Sequence, residues 1–187
     1  MSIRHQPTSQ DPQPDANAAL VRRCLDGESR AWDELVSCYS PLVYSIAARA
    51  GLPQQLREDV FQNTFVAIVK HLHSLRDGQA LTKWVITTAT RESWRIGRKR
   101  RADEPRLEPP EIEGDKLIAL ERAQAVEMSL RELGGTCEKL LRTLFSSHQD
   151  PDYRTIAQSL NMPVGSVGPT RQRCLAKLAE ILRPRIS

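Results

Sequence analysis

Apolar residues recur along this chain at helical spacing, and no run alternates long enough to make a strand. Leu20, Val21, Cys24 and Leu25 share one face of a first predicted helix, with Asp15 as its N-cap and Gly27 as its stop. Ser29 is expected to cap a second helix through Trp32, Leu35, Val36 and Tyr39. Ser40-Pro41 reads as a fresh N-cap with proline at N1, so that helix should be interrupted or bent before Leu42, Val43, Ile46 and Ala47 carry it to Gly51. From Gln54 to Leu72 the positions Leu56, Val60, Phe61, Phe65, Ile68, Val69 and Leu72 form the cleanest amphipathic pattern. A loop over 73–79, with Asp77-Gly78 as turn signal, leads to a fourth helix from about Ala80 to Arg101, whose inner side is Leu81, Trp84, Val85, Thr88 and Ala89.

The pattern breaks at 102–115, where three prolines and six acids in 14 residues cannot make a helix core. Periodicity returns from about Lys116 to Leu133 and stops at Gly134-Gly135. Thr136 should cap a helix over 137–147 with Leu140, Leu141, Leu144 and Phe145 inside. A short helix over 152–160, a turn at Asn161-Met162-Pro163 and a longer helix over 164–182 close the chain. The fold class is therefore all-α: two small helical domains, 15–101 and 116–187, joined by an acidic Pro-rich linker at 102–115 and preceded by a disordered arm at 1–14.

Composition narrows the function classes. The chain has 187 residues, 40% hydrophobic and 27% charged, with a net charge of +4. It has no apolar run near the roughly 20 residues that span a bilayer, and no apolar h-region near its start, so neither membrane insertion nor a signal peptide is expected. Cys24, Cys38, Cys137 and Cys174 form no C-x-x-C pair and sit among helical apolar neighbours, which predicts reduced core thiols. Four histidines without an acidic cluster predict no metal site, and no cofactor motif is present. Glu58, Asp59, Gln62 and Asn63 share a polar face, but no histidine, nucleophile or glycine cradle accompanies them; a docking or solvated face is expected, not an enzyme.

Two constellations point to nucleic acid. Arg91, Arg95, Arg98, Lys99, Arg100 and Arg101 end the fourth helix against one acid, Glu92. The bland alternative is complementing the helix dipole; released counterions favour phosphate binding. Trp84 and Trp94 lie beside this run and serve either core packing or base stacking, whereas Trp32 and Tyr44 read as core. The second is the pair of helices around Asn161, a helix-turn-helix pattern with Ile156, Ala157 and Leu160 inside the first helix and Val164, Val167, Leu175 and Leu178 inside the second. Its outward side holds Ser166, Thr170, Arg171, Gln172, Arg173 and Lys177.

These motifs, in this order, resemble a two-domain RNA polymerase sigma factor of the extracytoplasmic-function (ECF) group. REDVFQNTFVA at 57–67 is similar to the stretch that docks on the polymerase β′ clamp helices, which implies docking roles for Glu58, Asp59, Gln62, Asn63 and Phe65. LTKWVITTATR at 81–91, with the basic run, resembles the helix that melts and reads the minus-ten element; the loop before it resembles one that captures a flipped base. The residues so implied are Leu75, Arg76, Asp77, Gln79, Lys83, Trp84, Thr87, Arg91, Arg95, Arg98, Lys99 and Arg100. Ile156-Ala157 and Pro163-Val164-Gly165-Ser166-Val167 with Arg173 resemble the minus-thirty-five reader, which implies Arg154, Ser166, Gly168, Pro169, Thr170, Arg171, Arg173 and Lys177.

The resemblance further implies core polymerase (β′ clamp helices and β flap) and promoter DNA as partners, a cytoplasmic location, and a tether that either mimics nucleic acid in the RNA exit path or merely solubilises. Many family members are held by an anti-sigma factor, but no residue here identifies one. The chain departs from the family at Arg91, where asparagine is usual, and at Gly168-Pro169. Proline there should kink the last helix or start it late, near Pro169. The competing reading is an independent helix-turn-helix regulator with an N-terminal interaction domain.

Overall fold

Helical periodicity becomes eight α-helices in the computed structural model, which describes residues 16–75, 78–100, 111–146 and 152–186. They are α1 (Ala16–Leu25), α2 (Ser29–Arg49), α3 (Gln54–His71), α4 (Gly78–Arg100), α5 (Gly114–Leu133), α6 (Gly135–Ser146), α7 (Tyr153–Ser159) and α8 (Val164–Leu182), with single 3₁₀ turns at Leu72–Ser74 and Arg183–Arg185. No strand occurs among the described residues. The arm at 1–14, the cap residue Asp15 and most of the linker lie outside them.

Helices α1 to α4 enclose one apolar core. Leu35, Tyr39 and Val43 of α2, Val60 and Ile68 of α3, and Leu81, Val85 and Ile86 of α4 are completely buried in it. A polar knot ties three of these helices together: the Tyr39 hydroxyl donates to Asn17 Oδ1 at 3.1 Å and shares a 3.0 Å hydrogen bond with Thr82 Oγ1. Satisfied polar groups of this kind fix which way α4 faces.

A second, smaller core gathers Leu140, Leu141 and Leu144 of α6, Ile156 and Ala157 of α7, and Val167 and Cys174 of α8. Helix α5 serves both cores. Leu117 and Leu120, with Ile112 just ahead of the helix, pack on the first, while Leu130 and Leu133 pack on the second. Between them Gln124, almost fully buried, donates from Nε2 to the Cys38 carbonyl at 3.0 Å, and Arg131 Nη1 donates to Ser37 Oγ at 2.6 Å.

Several sequence expectations are corrected. Helix α2 runs through Pro41 without interruption. Proline withholds the N–H that would bond the Ser37 carbonyl, and the buried Tyr39, Leu42 and Val43 on either side of it hold the helix in place. Ser29 is the first helical residue and does not cap; Glu28 occupies the cap position, and its carboxylate accepts from Arg23 instead of capping. Thr136 likewise caps nothing, because α6 already begins at Gly135. Gly134 and Gly135 both take positive φ, +58° and +55°, a backbone that residues with a Cβ adopt only at a cost. Helix α8 starts at Val164 and carries Pro169 inside it, so it does not start late.

The turn before α8 uses Asn161 at φ 49°, as its composition predicts. Some positions counted as inner face outward. Phe145 is 67% exposed, and Leu25, Val69, Val164 and Leu175 are exposed too. These residues lie beyond the stripe that the neighbouring helices cover, so the apolar content of each helix is wider than its buried face. The thiol expectation holds for Cys24 and Cys38, which are free and buried, but Cys137 and Cys174 form a disulfide. Helical spacing cannot reveal that α6 and α8 bring those two cysteines together.

Candidate functional site

Helices α3 and α4 meet at an open groove of about 650 Å³, lined by Pro53, Gln55, Leu56, Asp59, Gln62 and Asn63 on one side and Arg95, Ile96 and Lys99 on the other. The start of α3 is set by a tight turn, in which Arg57 Nε donates to the Leu52 carbonyl at 2.6 Å. That bond aims Arg57 back at its own turn and leaves Glu58 and Asp59 exposed. The groove thus joins polar residues of the docking set to two cations of the basic set, which the sequence reading had kept apart.

Phe65 does not belong on this face. It is buried, its ring 4.6 Å from Phe61, which stacks on Tyr44 at 5.3 Å. The outward apolar residues of α3 are Val66 and Val69, 52% and 61% exposed. The sequence reading did not single out Val66 and counted Val69 as inner. Their signal was two valines at i, i+3, continuing the stripe of Asp59, Gln62 and Asn63.

On α4, Lys83, Arg91, Arg95 and Lys99 are exposed, while Thr87 is half-buried and donates to the Lys83 carbonyl at 2.8 Å. The Arg98 guanidinium lies 4.7 Å from the centre of the Trp94 ring. Such a cation–π pair holds a charge and a flat ring at one place on the surface. Arg95 bonds Glu92 through Nη2 at 2.5 Å, so the one acid of the run is already engaged. Trp84 is half-buried against the core, its ring 6.1 Å from His71, and Leu75 packs on the same core. Gln79 falls in the first turn of α4, ahead of the helix start expected near Ala80. Arg76 and Asp77 lie outside the described residues, as do the side chains of Gln79 and Arg100.

In the second group, Asp152 caps α7 by accepting from the Arg154 N–H at 3.0 Å and the Thr155 hydroxyl at 3.1 Å, and these bonds hold its carboxyl below the usual range. Ser166 turns its hydroxyl to the Pro163 carbonyl at 2.7 Å. Pro169, Arg173 and Lys177 are exposed, Gly168 and Thr170 partly so. Arg173 Nη2 donates to Thr170 Oγ1 at 3.1 Å. Arg171, by contrast, folds inward. Its Nη1 donates to the Tyr153 hydroxyl at 3.0 Å, and its Nε is buried without a hydrogen-bond partner. Arg171 therefore braces α8 against α7, and Arg154, exposed on α7, remains beside the outward set.

No cluster of metal-ligating side chains occurs among the described residues, and none of their helices is long and apolar enough to cross a membrane. The surfaces offer charge, aromatic faces and apolar contact, which suits binding polymers.

Residues 35–102 match the family model described as Sigma-70 region 2. The match covers those residues only, and makes the stretch that carries most of α2, all of α3 and all of α4 similar to that region. No curated protein matches the chain.

Proposed function

We propose that this chain is an ECF-type, two-domain sigma factor that binds core RNA polymerase, directs it to particular promoters and begins strand separation there. The observation that carries the reading is the region 2 match, which falls on α2, α3 and α4, the helices that build the groove and the cationic surface. A region 2 domain implies binding to core polymerase. In this reading the exposed face of α3, with Glu58, Asp59, Gln62, Asn63, Val66 and Val69, docks on the β′ clamp helices. Acids and amides supply orientation, and the two valines supply apolar area.

The exposed side of α4 then meets the minus-ten element. Lys83, Arg91, Arg98 and Lys99 contact phosphates, and Trp94, held by Arg98, offers a ring for an unpaired base. Extruding a base costs a few kcal/mol, which stacking and phosphate contacts offset. The α7–α8 pair reads the minus-thirty-five element through Arg173, Lys177 and Thr170, and the β flap holds that domain in place. Docking fixes the separation of the two DNA contacts, so the second contact forms at a high effective concentration. The protein acts in the cytoplasm, as a specificity subunit and not as an enzyme.

Run-off transcription with core polymerase, with and without the protein, tests the reading. Protein-dependent transcripts and co-elution with core are expected. Absence of both would overturn it. Tight palindrome binding by the free chain as a dimer would favour an independent regulator.

A further inference from the structure

The cross-link between α6 and α8 carries a consequence independent of transcription. Cys137 and Cys174, Cα atoms 5.3 Å apart, are joined across a separation of 37 residues that contains all of α7 and the turn. Cys137 is half-buried in the first turn of α6, whereas Cys174 is fully buried at the middle of α8. The core around them is small: seven buried residues among those described, against 21 in the first core. A core of that size leans heavily on any covalent tie. We propose that Cys137–Cys174 is a reversible thiol–disulfide site whose oxidation state sets the stability of the α6–α8 unit.

Access decides the direction of the chemistry. A dithiol reductant reaches Cys137 Sγ more readily than the buried sulfur. Its thiolate attacks Cys137 Sγ and expels Cys174 as the thiolate, which takes a proton. The reductant's second thiol then attacks the mixed disulfide and releases Cys137, leaving the reductant oxidised. In reverse, hydrogen peroxide oxidises the Cys137 thiolate to a sulfenic acid, and Cys174 condenses with it. Two thiols and one peroxide thus give one disulfide and two waters.

The other cysteines do not compete. Cys24 and Cys38 are buried in the first core, and burial pushes the Cys24 thiol up to about 11 and that of Cys38 upward too. Reduction releases α8 from α6 at its middle. Non-covalent ties remain, among them Val167 and Leu178 on the core, the Arg171 bond to the Tyr153 hydroxyl and, just past the end of α8, Arg185, whose Nη1 donates to Ser129 Oγ at 2.9 Å.

The test uses the full chain treated with hydrogen peroxide, then with dithiothreitol, then with peroxide again. Thiols are alkylated with N-ethylmaleimide after denaturation and counted by mass spectrometry. We expect labels on Cys24 and Cys38 only, then on all four cysteines, then on the first two again. In native reduced protein Cys137 should label first. The melting midpoint should fall by at least about 5 °C on reduction, with hydrogen exchange rising in α7 and α8. Cys137→Ala should melt alike with and without dithiothreitol, while Cys24→Ala should keep the redox dependence. Four labels in the peroxide-treated chain, a bond that native dithiothreitol leaves intact, or equal melting in both states would each overturn the proposal. If Cys137→Ala does not fold, the two states of the unaltered chain still decide. None of these readouts involves DNA or polymerase, so failure of the transcriptional role would leave them unaffected.

Discussion

Phe61 and Phe65 are separated by one turn of α3, yet only their packing tells what each does. Phe65 closes the core beneath the face that Asp59 and Val69 present. Phe65→Ala should therefore lower stability by about 3 kcal/mol through the cavity it leaves, measured by urea unfolding. Asp59→Arg should leave stability within about 0.5 kcal/mol and weaken core-polymerase binding in a co-elution titration. The arginines of α8 divide in the same way. Arg173→Ala should cost about 1–3 kcal/mol in upstream promoter binding, seen by footprinting. Arg171→Ala should instead lower the melting midpoint, because it removes the brace to Tyr153.

Among the elements, α5 ties the two cores together. The Glu127 carboxylate accepts from Arg142 Nη2 at 2.8 Å and Nη1 at 2.9 Å, and from Arg131 Nε at 2.9 Å. The Arg142 bonds, above all, hold its carboxyl below the ordinary glutamate range. A carboxyl depressed in the folded state contributes its stability fully above its unfolded pKa of about 4.3, and loses it as pH falls through that value toward the folded one. Glu127→Gln should therefore flatten the fall in melting temperature below about pH 5 and leave the slope near neutrality unchanged. Gln124→Leu leaves the Cys38 carbonyl buried without its donor, at a cost of about 1–3 kcal/mol. Hydrogen exchange should report that loss in α5 and in the Pro41 region of α2.

Across the whole molecule, a net charge of +4 is a small remainder of segregated charge. The acids of 102–115 cancel much of what the α4 and α8 cations add. Promoter binding by the polymerase complex should therefore depend steeply on salt. Arg98→Ala should reduce the slope of log K against log salt by about 0.9, the share of one phosphate contact. An unchanged slope would mean that Arg98 meets no phosphate. The cationic surfaces of α4 and α8 belong to different cores, joined in this structure through α5.

What the sequence determined by itself was the all-helical class, the positions of the helices to within a few residues, and the gathering of cations on α4 and α8. These are properties of local spacing: 3.6-residue periodicity, glycine and asparagine stops, and like charges on one face. The polar face of α3 and the turn at Asn161 were legible for the same reason. Tertiary structure decided what local spacing cannot carry. It set Phe65 beneath the face on which the resemblance had placed it and turned Val69 outward, because Val69 lies beyond the stripe of α3 that α2 and α4 cover. It carried α2 through Pro41 and α8 through Pro169, because packing compensates one missing hydrogen bond. It folded Arg171 onto Tyr153, seated Gln124 on a backbone carbonyl of another helix, and joined Cys137 to Cys174. Each of these depends on two segments far apart in the chain meeting, and the pattern along one helix holds no record of its neighbour.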